Sequence, residues 1–246
     1  MPNLISEDQI EKAAISLLEQ NYGYRSINCY TPDLENLNDS SNRSSKAEVA
    51  FKDILKTAAV RLNREIPESV IDQAIETLTA RRVAMSPILA NKEVYNLIRN
   101  GVPVQFENAQ GKTEKGMVRV IDFENPEKND FCAVTQLWIK GDRCPRRPDI
   151  LIYINGLPLV FIELKNSNVK LKNAFDDNLC NYKHDIPLLF NYNAFCVLSN
   201  GIETRVGSIT SGYEHFFRWM RPDDEAEKVD REKIEDEGTS LERVLH

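Results

Sequence analysis

No stretch of this 246-residue chain is apolar for long enough to span a bilayer, and Met1 to Ala14 hold no basic region followed by an apolar core. A cytoplasmic protein is the expectation, with no membrane partner. Cysteine is sparse: Cys29, Cys132, Cys144, Cys180 and Cys196 are odd in number, with no Cys-x-x-Cys pair and no histidine cluster nearby. That pattern argues against a disulfide framework and against structural zinc. Nothing beside these cysteines would lower a thiol pKa, so a cysteine nucleophile is not expected; runs such as Phe195-Cys196-Val197-Leu198 suit buried free thiols. There is no Gly-x-x-x-x-Gly-Lys-Ser/Thr loop, so this chain carries no P-loop for ATP, and there is no internal repeat.

A basic excess is also missing, since the formal net charge is −7. Most of the deficit is local. Pro222 to Glu237 holds nine acidic and three basic side chains, a balance of −6, which leaves −1 for everything else. Positive charge gathers elsewhere: Lys140, Arg143, Arg146 and Arg147 precede Asp149, and Lys165, Lys170 and Lys172 follow an apolar run. Such a strip can hold phosphates, or it can be a solvated loop. With 41% hydrophobic and 28% charged residues, the chain suits one large globular domain with appendages.

The strongest local pattern runs from Arg147 to Lys165. Two apolar runs rich in β-branched and aromatic residues flank Asn155-Gly156, a dipeptide that supplies the positive φ angles of a tight hairpin turn. Asp149 opens the first run, while Glu163 and Lys165 close the second and alternate onto one face. Folding the hairpin brings these three together, two carboxylates beside one amine. Crowded carboxylates resist double ionisation unless a cation shares the site, and their hard oxygens suit Mg²⁺. Register sets a condition, because a strict two-residue turn places Asp149 opposite Ile162 and turns Glu163 to the other face. The site therefore requires a three-residue connection or a bulge between Ile152 and Phe161. Taken alone, Glu-x-Lys also suits a strand end whose charges discourage edge pairing.

Around the hairpin, a helix is predicted from Ser6 through Leu18, capped by Gly23, with Glu7 and Glu11 on one face. Tyr30 to Ser45 reads as a polar loop. Helical spacing resumes from Lys46 to Leu62, again through Ile71 to Leu78, and near Pro87 to Asn100. Val102–Phe106, Lys115–Phe123 and Phe131–Ile139 read as successive strands leading into the hairpin. Asn129 and Gln136, in or beside the last of them, could align a phosphate or satisfy backbone groups. A helix from Ala174 places Asn178 and Tyr182 one turn apart, Ala194–Ser199 and Thr204–Ile209 are further strands, and Tyr213 to Met220 forms an aromatic cluster, more suited to packing than to base stacking.

The order Pro-Asp, strand, turn, strand, Glu-x-Lys resembles the signature of the PD-(D/E)xK, restriction-endonuclease-like nucleases. Arg146-Arg147-Pro148-Asp149-Ile150, Asn155-Gly156-Leu157-Pro158-Leu159, Ile162-Glu163-Leu164-Lys165-Asn166 and Tyr182-Lys183-His184-Asp185-Ile186-Pro187 narrow it, being similar to the N-terminal nuclease domain of type I restriction enzyme restriction (motor) subunits. The resemblance implies an α/β restriction-endonuclease-like core, a mixed β-sheet flanked by helices. It implies an endonuclease domain over 1–220, with a helical insertion at about 46–100, and an acidic linker over 221–246 toward a motor domain. Asp149, Glu163 and Lys165 would be catalytic, and Asp149 and Glu163 would ligate Mg²⁺ (or Mn²⁺), with Glu11 as the candidate acid from the first helix. Arg146, Arg147, Asn178, Tyr182 and Gln136 would contact double-stranded DNA. Asn178 departs from the family's Gln-x-x-x-Tyr motif by carrying a shorter amide. ATP would act only through the motor, and methyltransferase and specificity subunits would be the partners. The rival expectations are a repair or junction nuclease of the same fold, or a DNA-binding or docking module inactive by itself.

Overall fold

A computed structural model describes residues 5–107, 111–141, 143–219 and 240–245. Its centre is a seven-stranded mixed sheet in the order β1 (Arg25–Asn28), β4 (Phe131–Thr135), β5 (Ile150–Ile154), β6 (Leu157–Leu164), β7 (Phe195–Ser199), β8 (Thr204–Gly207), β9 (Phe217–Arg218). β1 runs parallel to β4 and β6 parallel to β7, while the other neighbours are antiparallel. The architecture is the α/β restriction-endonuclease-like core expected. Among the described residues no helix is long and apolar enough to cross a membrane.

Alternation along the strands splits the core in two. Ile150, Ile152, Ile162, Leu164 and Val197 face α1 (Glu7–Tyr22), which buries Ile10, Ala14 and Leu18 against them; Leu241, in the short helix Leu241–Leu245, joins that layer. Leu151, Tyr153, Phe161, Cys196 and Leu198 face the opposite, larger core. α1 starts at Ser6 with a reciprocal capping box, the Ser6 hydroxyl accepting the Gln9 N–H at 3.3 Å and the Gln9 side chain accepting the Ser6 N–H at 2.9 Å. Gly23, at φ +68°, ends it in the left-handed conformation.

Between β1 and β4 lies the insertion: α2 (Lys52–Leu62), α3 (Glu68–Thr79), α4 (Pro87–Asn100) and an antiparallel hairpin of β2 (Val102–Glu107) with β3 (Thr113–Val118). This corrects several expectations. Residues 46–51 are not helical, and β2 and β3 form a two-stranded sheet of their own packed on α3 and α4 instead of leading into the central sheet. β1, four residues with little apolar pattern, was not foreseen; it is specified by pairing with β4, not by its own composition. β4 also ends at Thr135 instead of Ile139, because Gln136 turns to φ +58° and breaks the pleat. Asn91 ties the insertion to the core by donating to the Phe190 and Asn193 carbonyls, both at 2.9 Å.

The polar loop after Tyr30 is less solvated than its composition suggests. Asp39, Arg43 and Lys46 are buried, and Asp39 Oδ2 accepts Arg43 Nη2 at 2.8 Å and Lys46 Nζ at 2.7 Å. Arg43 also donates to the Trp138 carbonyl at 3.0 Å, and the Lys46 carbonyl accepts the Lys140 N–H at 2.9 Å, so this loop holds the segment that follows β4. Burial alone would raise the Asp39 pKa; hydrogen bonds from Lys46, Ser41 and Arg43 outweigh it and hold the carboxyl down at about 2. The thiols of Cys29, Cys132 and Cys196 are buried, as expected, and burial pushes them up to about 12, about 11 and about 12. Cys144 is exposed and Cys180 half-buried. In the terminal aromatic cluster Phe216 is buried against Phe175, whereas Phe217 and Trp219 stack on the surface; Met220 and the acidic segment lie outside the described residues.

Asp39→Ala strands two buried cations and should cost about 3–5 kcal/mol of stability at neutral pH, measured by denaturant unfolding. Because its pKa is depressed in the fold, Asp39 contributes fully above the unfolded carboxyl range, and that contribution disappears as pH falls toward about 2. The wild-type and Asp39→Ala stabilities should therefore converge over that acid window.

Candidate active site

The hairpin turn is fixed before its open end is built. Asn155 and Gly156 have φ +50° and +81°, the primed turn that two such residues permit. Asn155 is fully buried: its side chain donates to the Val120 carbonyl and to Asn129 Oδ1, both at 2.8 Å, and accepts the Asp130 N–H at 2.7 Å. Asn129 thus satisfies buried backbone and amide groups, including the Asp122 N–H and carbonyl, and does not face the site. A Cβ on Gly156 would stand 2.5 Å from the Phe51 carbonyl oxygen, which excludes any other residue there.

From that turn Ile154 pairs with Leu157 and Tyr153 with Pro158, but Ile152 pairs with Val160, Leu151 with Phe161 and Ile150 with Ile162. Leu159 is the extra residue, a β-bulge inside the interval where one was required. One step beyond Ile150, Asp149 then lies opposite Glu163, and both project toward the larger core's face. Asp149 Oδ2 accepts the Leu164 N–H at 2.7 Å, joining the two strand ends. Lys165 Nζ lies 3.2 Å from Glu163 Oε1 and donates to the Leu164 carbonyl at 2.9 Å. Asp149, Glu163 and Lys165 are therefore brought together.

Electrostatics in this corner are out of balance. Glu163 is 1% exposed, and its Oε2 has no hydrogen-bond partner. Burial first, and then the charge of Asp149, raise its pKa well above the ordinary carboxylate range despite Lys165. Burial likewise lifts Asp149, against the Leu164 N–H and Lys165, which pull it down. The charge of Glu7 pushes both carboxyls upward; its side chain comes round the end of β6 from α1 and accepts the Asn166 N–H at 3.3 Å. Glu11, the acid singled out from the sequence, is placed differently: its carboxylate accepts Gln136 Nε2 at 3.1 Å and acts on Asp149. Among the described residues no group of three or more acids, histidines or cysteines converges tightly enough to hold a metal ion. The centre is a carboxylate pair and a lysine.

Along its rim, Tyr182 donates its hydroxyl to the Arg147 carbonyl at 3.1 Å and is engaged by Asn178. The two share a face as expected, although α5 (Leu171–Asn173) continues into a π-helix over Ala174–Leu179 before α6 (Cys180–Asp185). Burial, then the Glu163 and Asp149 charges, keep the Tyr182 phenol protonated. Arg147 stacks its guanidinium 5.1 Å from the Trp138 ring centre, and its charge favours ionisation of Asp149 and Glu11. Arg146 is bound to Asp185.

A family profile described as "Type I restriction enzyme R protein N terminus" matches residues 4–215. The type I restriction enzyme HindI endonuclease subunit of Haemophilus influenzae is 34% identical over 244 residues, covering 97% of this chain and 22% of the relative. A putative type I restriction enzyme MjaIXP endonuclease subunit of Methanocaldococcus jannaschii is 32% identical over 238 residues, covering 92% of this chain and again 22% of the relative. The chain thus spans about a fifth of the length of these relatives.

A carboxyl whose pKa is raised by folding takes up a proton as the chain folds, so its contribution to stability falls as pH rises beyond the unfolded carboxyl range. In the absence of divalent metal, Glu163→Gln should raise the thermal unfolding temperature at pH 8 and flatten its decline between about pH 5 and 8. An unchanged pH profile would mean that Glu163 is not the strained group.

Proposed function

Because the chain belongs to the family of type I restriction enzyme R protein N termini, we propose that it is the Mg²⁺-dependent endonuclease module of a type I restriction-modification enzyme, hydrolysing phosphodiester bonds of double-stranded DNA. One observation carries the reading to chemistry: Glu163 Oε2 is a buried carboxylate oxygen without a hydrogen-bond partner, on a residue opposite Asp149 and beside Lys165. Native proteins rarely leave such an atom unpaired unless a water, an ion, strain or a catalytic role accounts for it.

The donor set fits a hard divalent ion. Mg²⁺ is commonly held by one or two carboxylates, with water and phosphate oxygens filling the remaining positions, so a third converging protein acid is not required. Asp149 and Glu163 would hold it, and Mn²⁺ would substitute. When bound, the ion supplies Lewis-acid activation of a phosphate and of an attacking water. The protein's own residues do the rest. Glu163 and Asp149 give up their raised pKa values to ionise, the Leu164 N–H fixes the orientation of Asp149, and Lys165 stands where it can position a water and offset developing negative charge. Glu7, in place of Glu11, is the helix acid we assign to the centre, because its charge acts on both carboxyls. Arg147, Gln136 and Asn178 form the rim that would meet the DNA backbone, while Tyr182 lies buried behind it with its hydroxyl given to the Arg147 carbonyl. Sequence recognition would reside in a separate specificity subunit beside the methyltransferase subunit, and ATP would enter through the portion of the relatives that this chain does not span.

In the assembled enzyme with ATP and Mg²⁺, Asp149→Ala, Glu163→Ala and Lys165→Ala should each lower plasmid cleavage by more than about 10²-fold with the circular dichroism spectrum unchanged. Glu7→Gln should cost more than Glu11→Gln. Calorimetric titration with Mn²⁺ should lose binding in Glu163→Ala, and wild-type affinity should rise with pH as protons are displaced. Full cleavage by any of the three alanine variants would remove that residue from the assignment, while metal binding without cleavage in the assembled wild-type enzyme would favour a docking module.

A further inference from the structure

We infer that His184 and Asp185, at the end of α6, clamp the basic loop 139–147 and make Arg146 a positioning residue, leaving Arg147 as the loop's phosphate-facing cation. The clamp's consequence rests on the nuclease reading, and its geometry on separate contacts. The loop closes on itself through Ile139 and Arg146, whose backbone groups exchange hydrogen bonds at 2.8 and 2.9 Å. Arg146 then places Nε at 2.6 Å and Nη2 at 2.5 Å from Asp185 Oδ2, with its guanidinium 5.6 Å from the Tyr182 ring centre. The Asp185 side chain is only 8% exposed, so it is committed to this contact.

The other carboxylate oxygen of Asp185 extends the clamp. His184 Nδ1 lies 3.0 Å from Asp185 Oδ1, and the Arg143 guanidinium lies against the same imidazole ring. Both partners of Asp185 hold its pKa below the usual carboxylate range, His184 first and Arg146 second. Gly141 completes the fit, because a Cβ there would overlap the Asp185 carbonyl oxygen. Lys140 is meanwhile paired with Glu35 at 2.9 Å. Lys140, Arg143 and Arg146 thus commit donors to the protein itself. Arg147 is different: it lies over Trp138, and among the described residues no carboxylate pairs with it.

The clamp bears directly on the centre. Arg147 and Pro148 connect the clamped loop to Asp149, and the Tyr182 hydroxyl, from the same helix as Asp185, holds the Arg147 carbonyl. A guanidinium bound through two nitrogens and stacked on a ring fixes orientation in a way that a lysine could not reproduce. Releasing it should displace Asp149 relative to Glu163 while adding an unpaired positive charge to the surface. DNA binding and DNA cleavage should then move in opposite directions.

The test compares Asp185→Asn, Asp185→Glu, Arg146→Ala and Arg147→Ala in the full-length subunit assembled with its partners. It reads hydrogen exchange over 139–149, equilibrium binding of a duplex against salt, and cleavage per bound complex. In Asp185→Asn, exchange over 139–149 should rise with β6 and α1 unchanged, duplex binding should hold or tighten, and cleavage should fall about 10–100-fold. Asp185→Glu should recover part of the loss, and Arg146→Ala should repeat the loosened loop and the cleavage loss. Arg147→Ala should leave exchange unchanged, weaken binding and lower the salt slope by about one charge. The clamp is overturned if Arg146→Ala weakens binding as Arg147→Ala does with exchange unchanged, or if Asp185→Asn leaves exchange and cleavage as in wild type. Should Asp185→Asn unfold the domain, Arg146→Ala and Asp185→Glu decide by the same readings. A wild-type complex that binds duplex without cutting it would remove the nuclease reading and leave the exchange and binding arms to judge the clamp.

Discussion

One residue in excess on one side of a ladder governs the orientation of this centre. With Leu159 bulged out between Val160 and Pro158, everything from Val160 to Lys165 presents the face opposite to the one a regular two-residue hairpin would give it. Glu163 meets Asp149 instead of lying across the sheet from it, and Leu164 turns its N–H toward the Asp149 carboxylate. The bulge persists because both ends of the hairpin are pinned. Asn155 is locked by buried amide contacts, Gly156 lies against the Phe51 backbone, and Phe161 and Leu198 fill the core on the side that Glu163 must share.

Two buried carboxylates in this chain have opposite electrostatic fates. Asp39 is surrounded by Lys46, Arg43 and Ser41, so its charge is stabilised even though it is out of water. Glu163 has one lysine contact, an unpaired oxygen and two further carboxylates acting on it, so its charge is disfavoured. The first arrangement secures a loop; the second leaves a buried carboxyl oxygen without a partner. In the proposed nuclease, that second carboxyl is where a divalent ion would bind.

The elements flanking the sheet position these groups, and α1 adds the charge of Glu7 to them. α1 packs on the opposite face from Glu163 and meets it only round the end of β6, where Glu7, at the first turn, acts on both carboxyls while Glu11, one turn later, is held by Gln136. The buried loop around Asp39 holds the Trp138 carbonyl, Trp138 supports Arg147, and α6 fixes Arg146 and the Arg147 carbonyl. Arg146 and Arg147 are adjacent in sequence and yet serve different elements.

Much of what is local in this protein was legible in the order of its residues. Capping at Ser6 and Gly23, the Asn155-Gly156 turn, the alternation of the two hairpin strands and the placement of Glu163 with Lys165 on one face all come from dihedral preference and period-two geometry. The need for a bulge was legible too, since it is a matter of counting between two residues that must face each other. Folding decided everything that depends on neighbours distant in the chain. β1 exists because β4 pairs with it; β2 and β3 pair with each other and pack on α3 and α4 instead of joining the central sheet; a loop that reads as polar buries Asp39 because Arg43 and Lys46 both pair with it. The choice between Glu7 and Glu11, and between Arg146 and Arg147, turns on small distances at the end of a strand and on which partner is already occupied. Composition and spacing carry no record of that occupancy, because it arises only when the chain has closed around the site.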